Sequence, residues 1–250
     1  MIEGLPAIVL GLCAIFVLPE DPSRAAFLSE GEKSVIATRL RAEANAQDGS
    51  GCEVLFEPKL YALGLVNFAI LFGSYGVQLW LPQIVQEMIS TDTLAIGVIA
   101  SLVFLASIPA MTWWGRSSDK HDERIGHLAL PALFAAFWFV AAAIVPPGPI
   151  SLTAIALASI GVSCMQPCYF AFVSSLLRGR GVASGTALVM SISNAGSFLG
   201  PLVTGMLKQR TGGYGGGMLA MALVLAAAAC IVFAVGRAHL RAAPGLETGR

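Results

Sequence analysis

Long apolar runs separated by short charged segments set the pattern of this chain. A membrane-crossing helix needs about 20 mostly apolar residues. Runs that reach or approach this length lie at residues 2–18, 60–81, 95–113, 127–145, 151–177, 182–207 and 214–235, and the first is only just long enough. The prolines within 146–149 divide the fourth span from the fifth as a tight turn. The pattern therefore predicts a protein of membrane-spanning helices.

Charged residues mark the loops and the orientation. From residue 125 to residue 235 the charged side chains are Arg178, Arg180, Lys208 and Arg210, in two close pairs. A charge at the bilayer centre costs about 2.5–3.5 kcal/mol, so these pairs are placed between spans. Of the 15 lysines and arginines, all but Lys208 and Arg210 fall on one side. Because cytoplasmic loops are enriched in these residues, that side and the C-terminus are predicted to be cytoplasmic.

The connector after the first span contains a helix signal. Ser29 and Glu32 have the spacing of a capping box, and apolar residues follow at helical intervals. We expect an amphipathic surface helix over about 30–45. Its apolar side could lie on the membrane or against the spans, and a plain connector is the alternative.

Composition narrows the class of protein. Hydrophobic residues make up 56% of the chain and charged residues 12%, whereas soluble domains average about 25% charged residues. The net charge is zero and no basic patch is interleaved with aromatic residues, so nucleic acid is not an expected partner. The five cysteines show no paired CxxC spacing, and no metal site, cofactor or catalytic residue is predicted.

Polar side chains recur inside three spans. Asn67, Ser74 and Gln78 share one helix face, and Ser159, Ser163 and Gln166 form a second stripe. Ser191 and Asn194 lie three residues apart in a third span. Such groups must face protein or a water-filled cavity. Each could be an interhelical hydrogen bond worth about 0.6 kcal/mol, but the recurrence favours a polar pathway.

The loop 114–124 brings in a family resemblance. The spacing of Gly115, Asp119, Lys120 and Arg124 resembles the loop signature of the major facilitator superfamily, in the copy of the C-terminal half. Segments 3–6, 18–20, 28–30, 75–83 and 193–201 are together similar to the anion:cation symporter group, which includes phthalate, tartrate and hexuronate permeases. Two features depart from the pattern: Glu123 stands where a basic residue is common, and 166–168 replaces an apolar-Pro-Pro run.

The resemblance implies an all-α integral membrane fold: the six-helix C-terminal half of a major facilitator bundle, plus a preceding partial span and a cytoplasmic loop helix. Its parts would be 1–18 (truncated helix six), 19–59 (central loop), 60–236 (helices seven to twelve) and 237–250 (cytoplasmic tail). The implied substrate contacts are Asn67, Tyr75, Gln78, Gln166, Tyr169 and, with less support, Asn194. The implied gating loop consists of Gly115, Asp119, Lys120 and Arg124, which would latch the cytoplasmic side.

The implied function is secondary transport of small organic anions, such as aromatic or hydroxy carboxylates and sugar acids, across the inner membrane. Alternating access and proton symport are expected, with the lipid bilayer and a missing N-terminal half as partners. Apart from Glu3, no carboxylate lies within a span, so a proton carrier is expected in that missing half. The alternatives are a truncated protein without transport activity, a half that needs a partner chain and, least supported, an intramembrane enzyme.

Overall fold

The computed structural model describes residues 4–17, 25, 28–46, 56–89, 92–121, 123–176 and 182–242. Within these residues the structure has eight α-helices and no strand, which confirms the predicted fold class. The helices are α1 (Gly4–Val17), α2 (Glu30–Ala46), α3 (Pro58–Met88), α4 (Thr93–His121), α5 (Ile125–Ile144), α6 (Pro149–Leu176), α7 (Val182–Thr211) and α8 (Gly215–Ala242).

The chain divides into two compact units. One contains α1 and α2, and the other contains α3 to α8. In the first unit α1 is apolar but only 14 residues long over its described range, which is shorter than a span requires. The assignment of 1–18 as a span therefore stays a prediction.

The capping box at the start of α2 forms as predicted. The Ser29 Oγ and backbone N–H donate to a Glu32 carboxylate oxygen at 2.7 and 2.9 Å, and the Glu32 N–H donates to Ser29 Oγ at 3.4 Å. These bonds satisfy backbone donors that a helix N-terminus leaves free. The hydrogen bonds from Ser29 lower the pKa of Glu32.

The second unit contains six helices that are long and apolar enough to cross a membrane, α3 to α8. They correspond to the six predicted spans from 60–81 onward, and most extend several residues beyond them. The extensions carry polar ends such as Lys120 and Lys208, since a helix continues past the hydrocarbon layer into the headgroup region. At the α5–α6 turn, Ser151 Oγ donates to the Ala142 carbonyl at 3.0 Å and joins the two helices.

Helix α3 lies at the centre of this unit and packs against α6, α7 and α8. Its most extensive contact is with α7. There Gly196 and Gly200 lie directly on the backbone of Phe68 and Phe72, where a Cβ atom would overlap the carbonyl oxygens. The four-residue glycine spacing thus allows the close approach expected of small residues between membrane helices.

Candidate functional site

A polar cleft of about 310 Å³ lies between α3, α4 and α6. Two of the predicted substrate residues, Gln78 and Gln166, line it together with Ser74, Ser159 and Ser163. Apart from Asn67, the polar residues of the stripes predicted on these two spans therefore meet in one cavity. The α4 wall consists of Phe104 and Met111, which are not among the predicted site residues. Their seven-residue spacing, which places them on one helix face, was the available signal.

The two glutamines lie far from the ends of their helices; Gln166 is half-buried and Gln78 is exposed. Gln78 is ten residues from the end of α3 and Gln166 is ten residues from the end of α6, a distance of about 15 Å along each helix. No hydrogen bond within the described part of the chain involves either side-chain amide. In contrast, Ser159 and Ser163 donate to the carbonyls of Ile155 and Ser159, each at 2.8 Å. The cleft thus offers two amides whose donors and acceptors are available to a bound molecule.

Asn67 and Tyr169 are both buried and do not line this cleft. The Tyr169 hydroxyl donates to the Leu63 carbonyl of α3 at 3.1 Å, so it ties α6 to α3 in this conformation. The Asn67 amide oxygen has no hydrogen-bond partner among the described residues. Such a group costs about 1–3 kcal/mol when buried, so its retention needs a reason. Their roles as substrate contacts stay predictions.

Tyr75 and Asn194 are exposed on the surface of the unit, and neither lines the cleft. Asn194 shares an exposed face of α7 with Ser191, whose hydroxyl donates to the Ala187 carbonyl of its own helix at 2.8 Å. The six predicted substrate residues therefore fall into three groups: two in the cleft, two buried, and two on outer faces. Substrate contact by the exposed pair also stays a prediction.

The predicted gating loop lies at the C-terminal end of α4. Arg124 and Asp119 form an ion pair at 3.9 Å, and Gly115 packs on Pro167 of α6, where a Cβ would meet the ring at 3.3 Å. Lys120 is exposed. A pair this long and partly exposed contributes little stability, so it can separate at low cost. The latch role of these four residues is untested by the geometry.

Glu123, which departs from the family pattern, caps the start of α5. Its carboxylate accepts hydrogen bonds from the Gly126 N–H at 2.6 Å, the His127 N–H at 3.2 Å and the His127 ring at 2.7 Å. Partial burial alone would raise the pKa of Glu123, but the bonds from Gly126 and His127 outweigh burial and lower it. A basic residue could not accept these bonds, which explains the departure locally.

A second polar cluster, which the sequence did not indicate, joins α3, α7 and the turn before α8 at the other end of the bundle. Lys208 of α7 donates to Glu87 of α3 at 2.5 Å and to the Tyr214 hydroxyl at 2.6 Å. Beside it the Trp80 ring donates from Nε1 to the Pro201 carbonyl at 3.0 Å. Trp80 and Glu87 share a helix face by their spacing, but nothing local indicated a partner 121 residues away.

Comparisons with known proteins agree with this architecture. The family model of the Major Facilitator Superfamily matches residues 1–201 and, in a second alignment, 63–248. Two proteins of Agrobacterium vitis, both provisionally named as tartrate transporters, are 32% and 30% identical over 95% and 97% of this chain. The fucose:proton symporter FucP of Escherichia coli has a similar fold, with a TM-score of 0.65, 16% identity and 91% of this chain covered.

The chain belongs to the major facilitator superfamily. This confirms the predicted family and identifies a multi-pass membrane protein of a transporter fold, and it sets aside the intramembrane enzyme. The chain spans about half the length of the relatives it matches: 55% and 54% of the two Agrobacterium vitis proteins and 52% of FucP.

Proposed function

We propose that this chain is the C-terminal portion of a secondary active transporter for small organic anions, with hydroxy carboxylates such as tartrate as the first substrates to test. Transport would proceed by alternating access across the inner membrane, with the C-terminus in the cytoplasm and proton symport as coupling. The names of the Agrobacterium vitis relatives support the substrate class, and the likeness to a proton symporter supports the coupling.

The polar cleft is the observation that carries the proposal. Amides within a membrane-spanning helix that bond to no other protein group are costly in a bilayer unless they serve a ligand or a water-filled path. Gln78 and Gln166 would donate from their NH₂ groups to the oxygens of a carboxylate or hydroxyl. Their position about 15 Å from a helix end agrees with the midplane location of substrate sites in transporters built from two halves.

An anionic substrate needs a positive charge, and proton symport needs a proton carrier; we propose that both come from outside the cleft. Among the described residues, none that lines the cleft is charged, and an anion in a low-dielectric site needs a positive partner. We propose that a cation from the N-terminal half supplies this charge, and that a carboxylate of the same half carries the proton. Asn67, Tyr75, Tyr169 and Asn194 would contact the substrate in other conformations of the cycle.

Glutamine substitutions test the role of the cleft. The chain is fused behind the N-terminal portion of an Agrobacterium vitis relative, and uptake of radiolabelled tartrate into cells is measured. We expect Gln166→Ala and Gln78→Ala each to reduce uptake by about tenfold, since each removes a hydrogen bond to a charged group worth about 1.5 kcal/mol. The amount of protein in the membrane should not change.

Gln83→Ala is the matched control, because Gln83 is exposed on the same helix as Gln78 and does not line the cleft. It should transport at the level of the unsubstituted fusion. Equal uptake by the unsubstituted fusion and all three variants would show that the cleft glutamines only pack and do not contact the substrate. Uptake by cells that make only the 250 residues would contradict the need for an N-terminal half.

A further inference from the structure

A second cavity, of about 390 Å³, lies between α4, α5 and α6, and its lining is almost entirely apolar. Trp113 and Ala110 of α4 form one wall and Leu130 and Phe134 of α5 form the other. Gly161 of α6 forms part of the floor, and no side chain larger than hydrogen would fit there without displacing its neighbours, because a Cβ would meet the Pro131 carbonyl at 3.0 Å. We call this cavity the apolar crevice.

The apolar crevice opens onto a face that suits lipid. The exposed large side chains of α5 are all apolar: Leu130, Leu133, Phe134, Phe137, Val140 and Ile144. Leu130 and Phe134 belong both to this face and to the crevice wall. A membrane helix face without polar groups is one that hydrocarbon can cover. The occupant is therefore expected to enter from the bilayer.

Two cations lie beyond the apolar crevice, at the end of α4 that carries the gating loop. Arg116 and Lys120 follow Trp113 by three and seven residues, so all three share one face of α4. Both cations are exposed, and no ion pair or hydrogen bond within the described residues engages their side chains. The nearby carboxylates are occupied, Asp119 by Arg124 and Glu123 by His127. Tryptophan is typical of the depth at which lipid headgroups meet hydrocarbon.

We propose that the apolar crevice binds one acyl chain of an anionic phospholipid, whose phosphate is held by Arg116 and Lys120. The crevice volume lies within the range of about 300–1,000 Å³ that is usual for ligand sites. The site is separate from the polar cleft, with which it shares none of its lining residues. The bound lipid would hold α4 against α5 at the end where the gating loop begins.

Native mass spectrometry of the purified 250-residue chain tests the proposal. Phosphatidylglycerol and phosphatidylcholine with identical acyl chains are titrated separately, and the dissociation constant of the first bound lipid is compared. We expect phosphatidylglycerol to bind more tightly. Arg116→Gln and Lys120→Gln should each weaken phosphatidylglycerol binding about fivefold, the effect of one surface charge, and leave phosphatidylcholine binding unchanged.

Ala110→Phe tests the acyl-chain part of the site, because the added ring would fill the apolar crevice; it should weaken the binding of both lipids. The matched controls are Ala106→Phe, at an exposed α4 position outside the crevice, and Lys59→Gln, at an exposed cation on α3. Both should bind as the unsubstituted chain does. Helical content measured by circular dichroism checks that each variant is folded.

Three results would overturn the proposal. Equal affinity for the two lipids would remove the role of charge. An effect of Lys59→Gln as large as that of Arg116→Gln would show a general surface attraction instead of a site. Normal binding by Ala110→Phe would show that the headgroup alone is recognised and that the crevice takes another apolar molecule.

Discussion

Two glycine residues determine how closely α7 approaches α3. A Cβ at Gly196 would overlap the Phe68 carbonyl, and one at Gly200 would overlap the Phe72 carbonyl. Both contacts are with backbone, which cannot rotate away as a side chain can. The helices would have to separate, and the packing along their shared face would loosen.

Gly196→Ala should therefore destabilise the protein, although alanine favours helix more than glycine by about 1 kcal/mol. We expect a net loss of about 1–3 kcal/mol, the usual cost of overpacking, measured as a lower midpoint of thermal unfolding in detergent. Gly97→Ala is the control, since nothing lies within 4 Å of its added Cβ. That variant should be as stable as the unsubstituted chain or more so. An unchanged midpoint for Gly196→Ala would mean that the helices pack less closely.

The sequence could identify residues whose placement depends only on neighbouring positions in the same helix. The spacing of Gln78 and Gln166 within their own helices predicted polar faces turned to protein or to a water-filled cavity, and the structure brings both into one cleft. It could not indicate that Tyr169 bonds to Leu63, because the two residues are 106 positions apart. Contacts between distant segments depend on helix packing, which periodicity alone does not determine.

At the scale of elements, the sequence identified helix starts and spans because each is encoded within a few turns. The Ser29–Glu32 box predicted the start of α2, and the apolar runs predicted six spans. The cap of α5 was missed, since Glu123 was judged only as a departure from a family loop. Its bonds to the Gly126 and His127 N–H groups are those of an N-terminal carboxylate with free helix donors.

The α5 cap predicts a dependence of stability on pH. Because the pKa of Glu123 is lowered in the folded chain, its contribution is present above the unfolded value of about 4.5 and is lost as the pH falls through the folded value. Glu123→Gln should reduce stability at pH 7 by about 0.5–1 kcal/mol, in the lower part of the range for caps because the carboxylate is half exposed. The difference between the two proteins should shrink as the pH falls below about 4.5 and through the lowered pKa of the folded chain.

Thermal unfolding between pH 7 and pH 3.5 measures this difference. Glu57→Gln is the matched control: Glu57 also stands at a helix start, that of α3, but its side chain makes no capping bond. Its difference from the unsubstituted chain should be small and independent of pH. A constant difference for Glu123→Gln across the range would show that the cap acts through shape and not through charge.

At the scale of the whole molecule, the exposed faces of the spans fall into two kinds. On α5 every large exposed side chain is apolar, as expected of a face in contact with lipid. On α7 the exposed face combines Ser191 and Asn194 with Phe198 and Leu202. An amide on a lipid-facing surface is costly, so this face is expected to contact protein or an aqueous cavity.

The low burial of α7 agrees with an absent neighbour. Of the most apolar 18-residue stretch of α7, only 22% is buried within the described structure, compared with 61% for the corresponding stretch of α3 at the centre. The chain also spans about half the length of its relatives. We therefore predict that the exposed face of α7 contacts the N-terminal half of the transporter, while the exposed face of α5 contacts lipid.

Two phenylalanines of nearly equal exposure separate these roles: Phe198 of α7 is 68% exposed and Phe137 of α5 is 64% exposed. The chain, carrying an affinity tag, is produced together with the N-terminal portion of an Agrobacterium vitis relative as a separate polypeptide, and co-purification in mild detergent is measured. Phe198→Ala should reduce recovery of the partner several-fold, because a large aromatic side chain is a frequent anchor of interfaces. Phe137→Ala should leave recovery unchanged, because its neighbours are lipid tails. Equal losses for the two variants, or none for either, would show that the α7 face is not where the halves meet.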